Sequence, residues 1–359
     1  MGILKKILKI AGIALITVIA VPLIVGQILR LLSPVEPPPG KMVDVGGYKL
    51  HINCVGPEGT AGEDLPTVVF EAGAGVTSAV NHRILDGVSK TTEVCVYDRA
   101  GIGWSDENNL PRDAKTVNET LHTLLDKAGV KRPFVFAGHS IAGLYMRDYV
   151  ERYPDEVLGL AFLDPSHPDQ YEMFGFTGEQ RKELDDSVVS QISMVDWLIK
   201  FGVFEVYNPL LSEQEDLQTY PAKIQNQLVY LSKKSASHNA FLAELRDFDK
   251  AAKQAANNKS LGDSPVVVIS ATKKWDKAAL PDFISPEKMQ SVMAKMHKDI
   301  AALSVNGKRI EIDSADHMGI ITNKENAAKA AAQIIGIVRE TQEKYKIQKN
   351  ANRREAKEQ

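Results

Sequence analysis

The chain of 359 residues contains two cysteines and three tryptophans. Cys54 and Cys95 cannot form a cysteine metal cluster, and no His, Cys, Asp or Glu set elsewhere has metal-ligand spacing. Two isolated thiols in strand-like segments read as buried free residues. Charge of one sign is also missing. Lysine and arginine total 43 against 46 acidic residues, a formal net charge of −3, and no basic patch is interleaved with aromatics. Nucleic acid is therefore excluded as a partner. No glycine-rich loop is followed by a Walker lysine or by dinucleotide spacing, so no nucleotide cofactor is expected. There is no internal repeat. The N-terminus has no cysteine to carry a lipid, and Lys6 stands where myristoylation prefers serine or threonine.

Hydrophobic content of 44% and charged content of 25% are those of an ordinary globular protein. Residues 1–32 depart from that average. From Ile10 to Ile28 only Thr17 and Gln27 carry polar side chains, a length matching a hydrocarbon core of roughly 30 Å. Pro22 is tolerable in a membrane helix. Lys5, Lys6 and Lys9 precede the run and Arg30 follows it, which favours a cytoplasmic N-terminus and an extracytoplasmic remainder. The expectation is a single-pass membrane anchor. The competing reading is a secreted protein with a cleaved signal peptide, against which stand the length of the run and the lack of a small-x-small site. Residues 33–40 form a stiff proline-rich linker.

From Lys41 the chain alternates. Strands are expected at Met42–Val45 and Tyr48–Cys54, joined at Gly46-Gly47, then at Thr67–Phe70, Glu93–Tyr97, Phe134–Ala137 and Leu158–Leu163. Ala114–Ala128 is the clearest intervening helix. Such alternation implies a mostly parallel sheet covered on both faces. The pattern lapses into helices after Asp164 and resumes at Pro265–Ile269 and Arg309–Ile312, followed by an amphipathic helix over Asn323–Arg339. The divisions are thus a core of 41–165 and 263–339, a helical cap of 166–262, and a charged, solvated tail of 340–359.

The most informative stretch is Gly138-His139-Ser140-Ile141-Ala142-Gly143, where a strand meets a helix. A strand that turns into a helix around one residue strains that residue's backbone and tolerates only small neighbours two positions away. Ser140 is therefore the candidate nucleophile, beside a helix N-terminus that can receive an oxyanion. Its base should follow the last strand, which selects His317. The acid that orients the base is Asp164, at the end of the strand after the elbow, or alternatively Asp276, beyond the next strand. Asp164 sits tighter against its strand, as an orienting group should. Oxyanion donors are assigned to the Ile141 N–H and to the Ala74 N–H in Glu71-Ala72-Gly73-Ala74-Gly75. The turn Asp98-Arg99-Ala100-Gly101-Ile102-Gly103-Trp104-Ser105 reads as a structural brace.

Together the elbow, this turn, the glycine-rich loop and His317 resemble the α/β-hydrolase superfamily over about residues 41–339. The resemblance implies an eight-stranded sheet of order 1-2-4-3-5-6-7-8 with a helical cap between strands six and seven. In that order the strands of Cys54 and Cys95 are neighbours, within reach of a bridge. Two departures stand out: Glu71-Ala72 replaces a common His-Gly pair, and the acid after strand seven lacks close spacing. The function expected is a membrane-anchored serine hydrolase that cleaves a partly apolar carboxylic ester through an acyl-enzyme. An aminopeptidase or amidase of the same fold is an alternative, as is a ligand-binding sensor with negligible turnover.

Overall fold

The computed structural model describes residues 2–57 and 64–358, and their side chains except at 2–3, 14–16, 19 and 351–358. Eight strands form one sheet: β1 (Lys41–Asp44), β2 (Lys49–Val55), β3 (Val68–Glu71), β4 (Val94–Tyr97), β5 (Phe134–His139), β6 (Val157–Leu163), β7 (Val266–Ala271) and β8 (Gly307–Ile312). Their order is β1-β2-β4-β3-β5-β6-β7-β8. β2 runs antiparallel to β1 and β4, and the remaining pairs are parallel. The β1–β2 turn is made at Gly46 and Gly47, with φ of 125° and 93°, where the Asp44 carboxylate accepts both glycine N–H groups. A side chain at either position would strain that backbone.

The central strands are largely apolar on both sides because helices cover both faces. Phe134 and Phe136 of β5 point to one face, with Phe162, Val266 and Val268. Val135 and Ala137 point to the other, with Ala161, Val267 and Ile269. The helices are numbered from α1 (Gly2–Leu32) and α2 (His82–Ser89). α3 (Ala114–Ala128) starts where Asp113 accepts the Thr116 N–H and ends at left-handed Gly129, as capping chemistry requires. α4 (Ala142–Arg152) follows the elbow.

Between β6 and β7 lie α5 (Gln170–Phe174), α6 (Gly178–Lys200), α7 (Val203–Val206), α8 (Pro209–Glu213), α9 (Glu215–Gln218), α10 (Ala222–Leu231), α11 (Ser235–Arg246) and α12 (Phe248–Ala255). α6 opens on a reciprocal capping box between Thr177 and Gln180. α12 lies within the expected cap, yet its Phe248, Ala251, Ala252 and Ala255 pack with Val117 of α3 and Leu144 and Tyr145 of α4. The last helix of the insertion is therefore part of the core wall. α13 (Pro286–Ala301), α14 (Gly319–Thr322), α15 (Lys324–Glu340) and α16 (Gln342–Glu358) complete the chain. The charged tail is helical, and Tyr345 in its first turn is buried.

Two expectations are corrected, and a third is not met among the described residues. Cys54 and Cys95 are not free thiols: they face each other across β2 and β4 and form a disulfide, because antiparallel pairing puts them directly opposite. The proline-rich linker is not a free spacer, since Trp104 Nε1 donates to the Glu36 carbonyl at 3.0 Å and His51 bonds the Pro39 carbonyl. Finally, residues 2–32 form one helix, but among the described residues no helix is long and apolar enough to cross a membrane. The expected span, Ile10 to Ile28, includes residues 14–16 and 19, whose side chains lie outside the described set. The far end of α1 docks on the cap, where Gln27 Nε2 and Arg30 Nη1 donate to the Lys200 carbonyl at 2.9 and 3.2 Å.

The packing generates a first prediction. Phe162 is fully buried near the C-terminal end of β6, so Phe162→Ala should destabilise the protein by about 3–5 kcal/mol. Urea denaturation of the two proteins measures this, and a loss below about 1 kcal/mol would contradict the packing described.

Candidate active site

β5 ends at His139, and the residue that follows it stands at a sharp corner. Ser140 has φ of 59°, a left-handed conformation that costs a non-glycine residue of order 1–3 kcal/mol. What holds it is hydrogen bonding to the neighbouring strand end. The Ser140 N–H donates to the Leu163 carbonyl at 3.1 Å, and the Ser140 carbonyl accepts from the Ser166 N–H at 2.8 Å. Space is equally restrictive. A Cβ on Gly138 would meet the Ala142 Cβ at 2.5 Å, and one on Gly143 would meet the Ser166 oxygen at 2.5 Å. Alanine serves at 142 because glycine stands opposite it.

The structure brings Ser140, His317 and Asp164 together. His317 Nε2 lies 3.0 Å from Ser140 Oγ, and its Nδ1 lies 2.6 Å from Asp164 Oδ2. A carboxylate accepts, so Nδ1 carries the proton and Nε2 presents its lone pair to the serine hydroxyl. Asp164 follows β6 directly, with its own left-handed φ of 44°. Its N–H bonds the Ile269 carbonyl and its Oδ1 accepts the Ala271 N–H at 2.9 Å. Burial pushes its carboxyl up, but the hydrogen bond from His317 and the nearby imidazoles more than offset this and hold it below the ordinary value. Asp276 is elsewhere. It is exposed and caps the short helical turn Lys277–Ala279 by accepting the Ala278 N–H at 2.9 Å.

Two further histidines surround the triad. His139 Nε2 lies 2.8 Å from the His317 carbonyl; that oxygen only accepts, so His139 donates and steadies the loop carrying His317. Burial, with His317 close by, depresses the His139 pKa to about 3. His297, on α13, approaches Asp164 Oδ1 to 3.9 Å from behind and is held through Nδ1 by Ser270 Oγ at 2.8 Å. His297 is a functional neighbour that the sequence analysis does not single out. Its position one turn from the end of α13 carries no local signature.

The glycine-rich loop lies over the nucleophile, since a Cβ on Gly73 would come within 3.5 Å of the Ser140 Cβ. Among the described residues, neither the Ala74 N–H nor the Ile141 N–H donates to a backbone carbonyl. The Asp98–Ser105 turn braces this loop. Buried Asp98 accepts from the Ser78 and Trp104 N–H groups, while Arg99 bonds the Ala72 and Gly73 carbonyls at 2.8 and 2.6 Å.

Two cavities of about 280 Å³ each flank the centre. Ser140, His317, Phe174, Trp275, Met289 and Met293 line one. The other, under the cap, is lined by Ala74, Val80, Leu217, Leu228, Leu231 and Met318 among others. Asp164 is the single carboxylate among their lining residues, and it is engaged by His317.

Residues 66–323 match the family model described as the alpha/beta hydrolase fold. An uncharacterized protein of Bacillus subtilis (strain 168), YbdG, is 32% identical over 144 residues, which are 40% of this chain and 42% of that protein. The chain thus spans less than half the length of this relative. Among solved structures, a loop variant of a haloalkane dehalogenase from Bradyrhizobium elkanii is similar with a TM-score of 0.56 at 17% identity, covering 83% of this chain and 96% of its own. The enol-lactonase from Burkholderia xenovorans is similar with a TM-score of 0.50 at 18% identity, covering 82% and 100%. At such identities the two structures speak for the fold alone. With the sheet order, the elbow and a family match over most of its length, the chain belongs to the α/β-hydrolase-fold family.

Proposed function

We propose that this protein is a serine hydrolase that cleaves a carboxylic ester with apolar substituents. The observation carrying this is the continuous path Asp164–His317–Ser140 at 2.6 and 3.0 Å. A serine hydroxyl is a weak nucleophile until a base takes its proton. Here His317 Nε2 accepts that proton as Ser140 Oγ attacks the carbonyl, and Asp164 stabilises the resulting imidazolium. The Ile141 and Ala74 N–H groups receive the oxyanion. The protonated histidine then returns its proton to the leaving alcohol, and water, activated by the same imidazole, hydrolyses the acyl-enzyme. The apolar linings of the two cavities favour carbon chains on both sides of the ester. An aminopeptidase would need an acid for its substrate's amine, and the described lining residues of these cavities supply no uncommitted carboxylate.

The reading includes association with a membrane through α1, with the catalytic domain on the extracytoplasmic face. What supports it is the exposure of apolar side chains around α1, among them Leu4, Ile7, Leu8, Ile13, Val18 and Ile24, together with a disulfide suited to an oxidising compartment. Alkaline extraction of membranes containing the full chain, beside a variant lacking residues 2–32, tests this. Release of both proteins to the same extent would refute it.

Two predictions concern the chemistry. A fluorophosphonate probe should label the wild type and not Ser140→Ala, whereas an unlabelled wild type would point to the non-catalytic sensor. Asp164→Asn should lower kcat by about 10³–10⁴ because the wrong imidazole tautomer is presented, with Asp276→Asn near wild type. The converse result in steady-state assays of p-nitrophenyl butyrate would overturn the assignment.

A third concerns acid stability. His139 is neutral in the fold but protonates below about pH 6.5 in the unfolded chain. Its folded pKa is depressed to about 3, so the stability it contributes is full above pH 6.5 and is lost as pH falls toward 3. His139→Asn should shrink the drop in unfolding free energy between pH 7 and pH 4 by on the order of 3 kcal/mol. Urea titrations at the two pH values check this, and an unchanged drop would contradict a neutral buried His139.

A further inference from the structure

Arg99 is buried with all five of its N–H donors engaged. Nε donates to Glu244 Oε1 at 2.6 Å, Nη1 to Glu71 Oε1 and the Ala72 carbonyl, and Nη2 to the Gly73 carbonyl and Glu244 Oε2. Glu71 is held in turn by the Tyr97 hydroxyl. Burial alone would lower the Arg99 pKa, but the Glu244 and Glu71 carboxylates raise it and keep the guanidinium charged. Glu244 is the foreign member of this cluster. It lies on α11 of the cap, 145 residues along the chain from Arg99, and is fully buried. Its Oε2 also accepts the Gly75 N–H at 2.8 Å.

These contacts bracket one peptide group. The Ala74 N–H shares a planar trans unit with the Gly73 carbonyl, so the two point in opposite directions. Anchoring the carbonyl on Arg99 therefore sets the direction of the N–H. The following unit is anchored by the Gly75 N–H on Glu244. α11 also packs flush against this loop: Gly75 has φ of 66°, and a Cβ there would meet Phe241 at 2.8 Å. At the start of α11, Ser237 Oγ accepts the Gly103 N–H and Lys234 donates to the Gly103 carbonyl.

From this geometry we infer that Glu244 is a positioning residue, through which the seated cap sets the Ala74 N–H to receive the oxyanion. The inference rests on the hydrolase reading above and extends it, making the oxyanion hole a joint product of core and cap. An approach of substrate that displaced α11 would release the Gly75 N–H and one side of Arg99 together. Lysine could not replace Arg99, having three donors for five acceptors.

The test is Glu244→Gln, assayed with p-nitrophenyl butyrate and its thiono analogue, in which sulfur replaces the carbonyl oxygen. Sulfur is a larger and poorer hydrogen-bond acceptor, so a well-aligned hole favours the oxygen ester. The variant should lose about 10²-fold in kcat on the oxygen ester with KM changed less than threefold, and lose far less on the thionoester. Circular dichroism should show it folded. A folded variant with unchanged kcat, with its loss in KM, or with equal losses on both esters overturns the inference. Should Glu244→Gln not fold, Glu244→Asp carries the same test, since it keeps the charge but is too short to hold Arg99 and Gly75 at once. A folded Glu244→Asp with unchanged kcat likewise overturns it. Wild-type protein without Ser140-dependent labelling would sink the hydrolase reading as well, whereas a labelled wild type with unaffected variants sinks this inference alone.

Discussion

Ser140 holds a left-handed backbone angle between β5 and α4, and the bonds that hold it there come from the next strand. Its N–H reaches the Leu163 carbonyl and its carbonyl receives the Ser166 N–H. Residues on either side of Asp164 thus brace the corner that exposes the hydroxyl, while Asp164 orients His317. Strain of a few kcal/mol in one residue is sustainable only where surrounding contacts over-determine it. Here the same short segment after β6 supplies both the bracing and the carboxylate, so Ser140 and Asp164 are registered to each other by the hydrogen bonds of adjacent parallel strands.

That arrangement explains how the carboxylate that meets His317 stands after β6 rather than β7. Strand ends at the carboxyl edge of a parallel sheet all face the same crevice, and Asp164 projects there with its N–H tied to the Ile269 carbonyl and its Oδ1 to the Ala271 N–H. The end of β7 therefore contributes backbone support to the acid. Asp276 lies farther along, exposed and capping a turn. The ground behind the acid is taken by His297, whose ring is fixed through Ser270 and, beyond it, by Arg309 Nε donating to the same hydroxyl at 2.8 Å.

The features most legible in the amino-acid order are those whose cause is local. All eight strands lie within a residue or two of their expected ends, because the central parallel strands are apolar runs between turn residues and β1 and β2 flank a two-glycine turn. The corner at Ser140 was legible because it demands small residues at fixed offsets, and tightness to a strand end is what brought Asp164 forward while leaving Asp276 as an alternative. What was illegible depends on contacts between distant segments. Nothing near Cys54 says that register will set it opposite Cys95. Likewise nothing near Glu244, one acid among many in the cap, says that it meets Arg99. The role of α12 was hidden for a similar reason: chain order assigns it to the insertion, whereas its small apolar face fits the wall formed by α3 and α4.

The replacement of a common His-Gly pair by Glu71-Ala72 makes sense in the same terms. A buried carboxylate is tolerable only with a charged partner and its remaining lone pairs occupied, and burial does push the Glu71 carboxyl up despite Arg99 and Tyr97. Arg99 alone beside Glu71 would have donors left over. With Glu244 from the cap and the two loop carbonyls, each of its five donors has an acceptor. The cluster is therefore complete only when the cap is in place, and the same cap is joined at its far side to α1 through Gln27 and Arg30. Removing either carboxylate would leave guanidinium donors unpaired in a buried site, a defect dearer than the net worth of the bonds themselves. The loop beside Ser140 is thus shaped by buried residues outside the linings of the two cavities, and its geometry belongs to the assembled chain rather than to the five residues that form it.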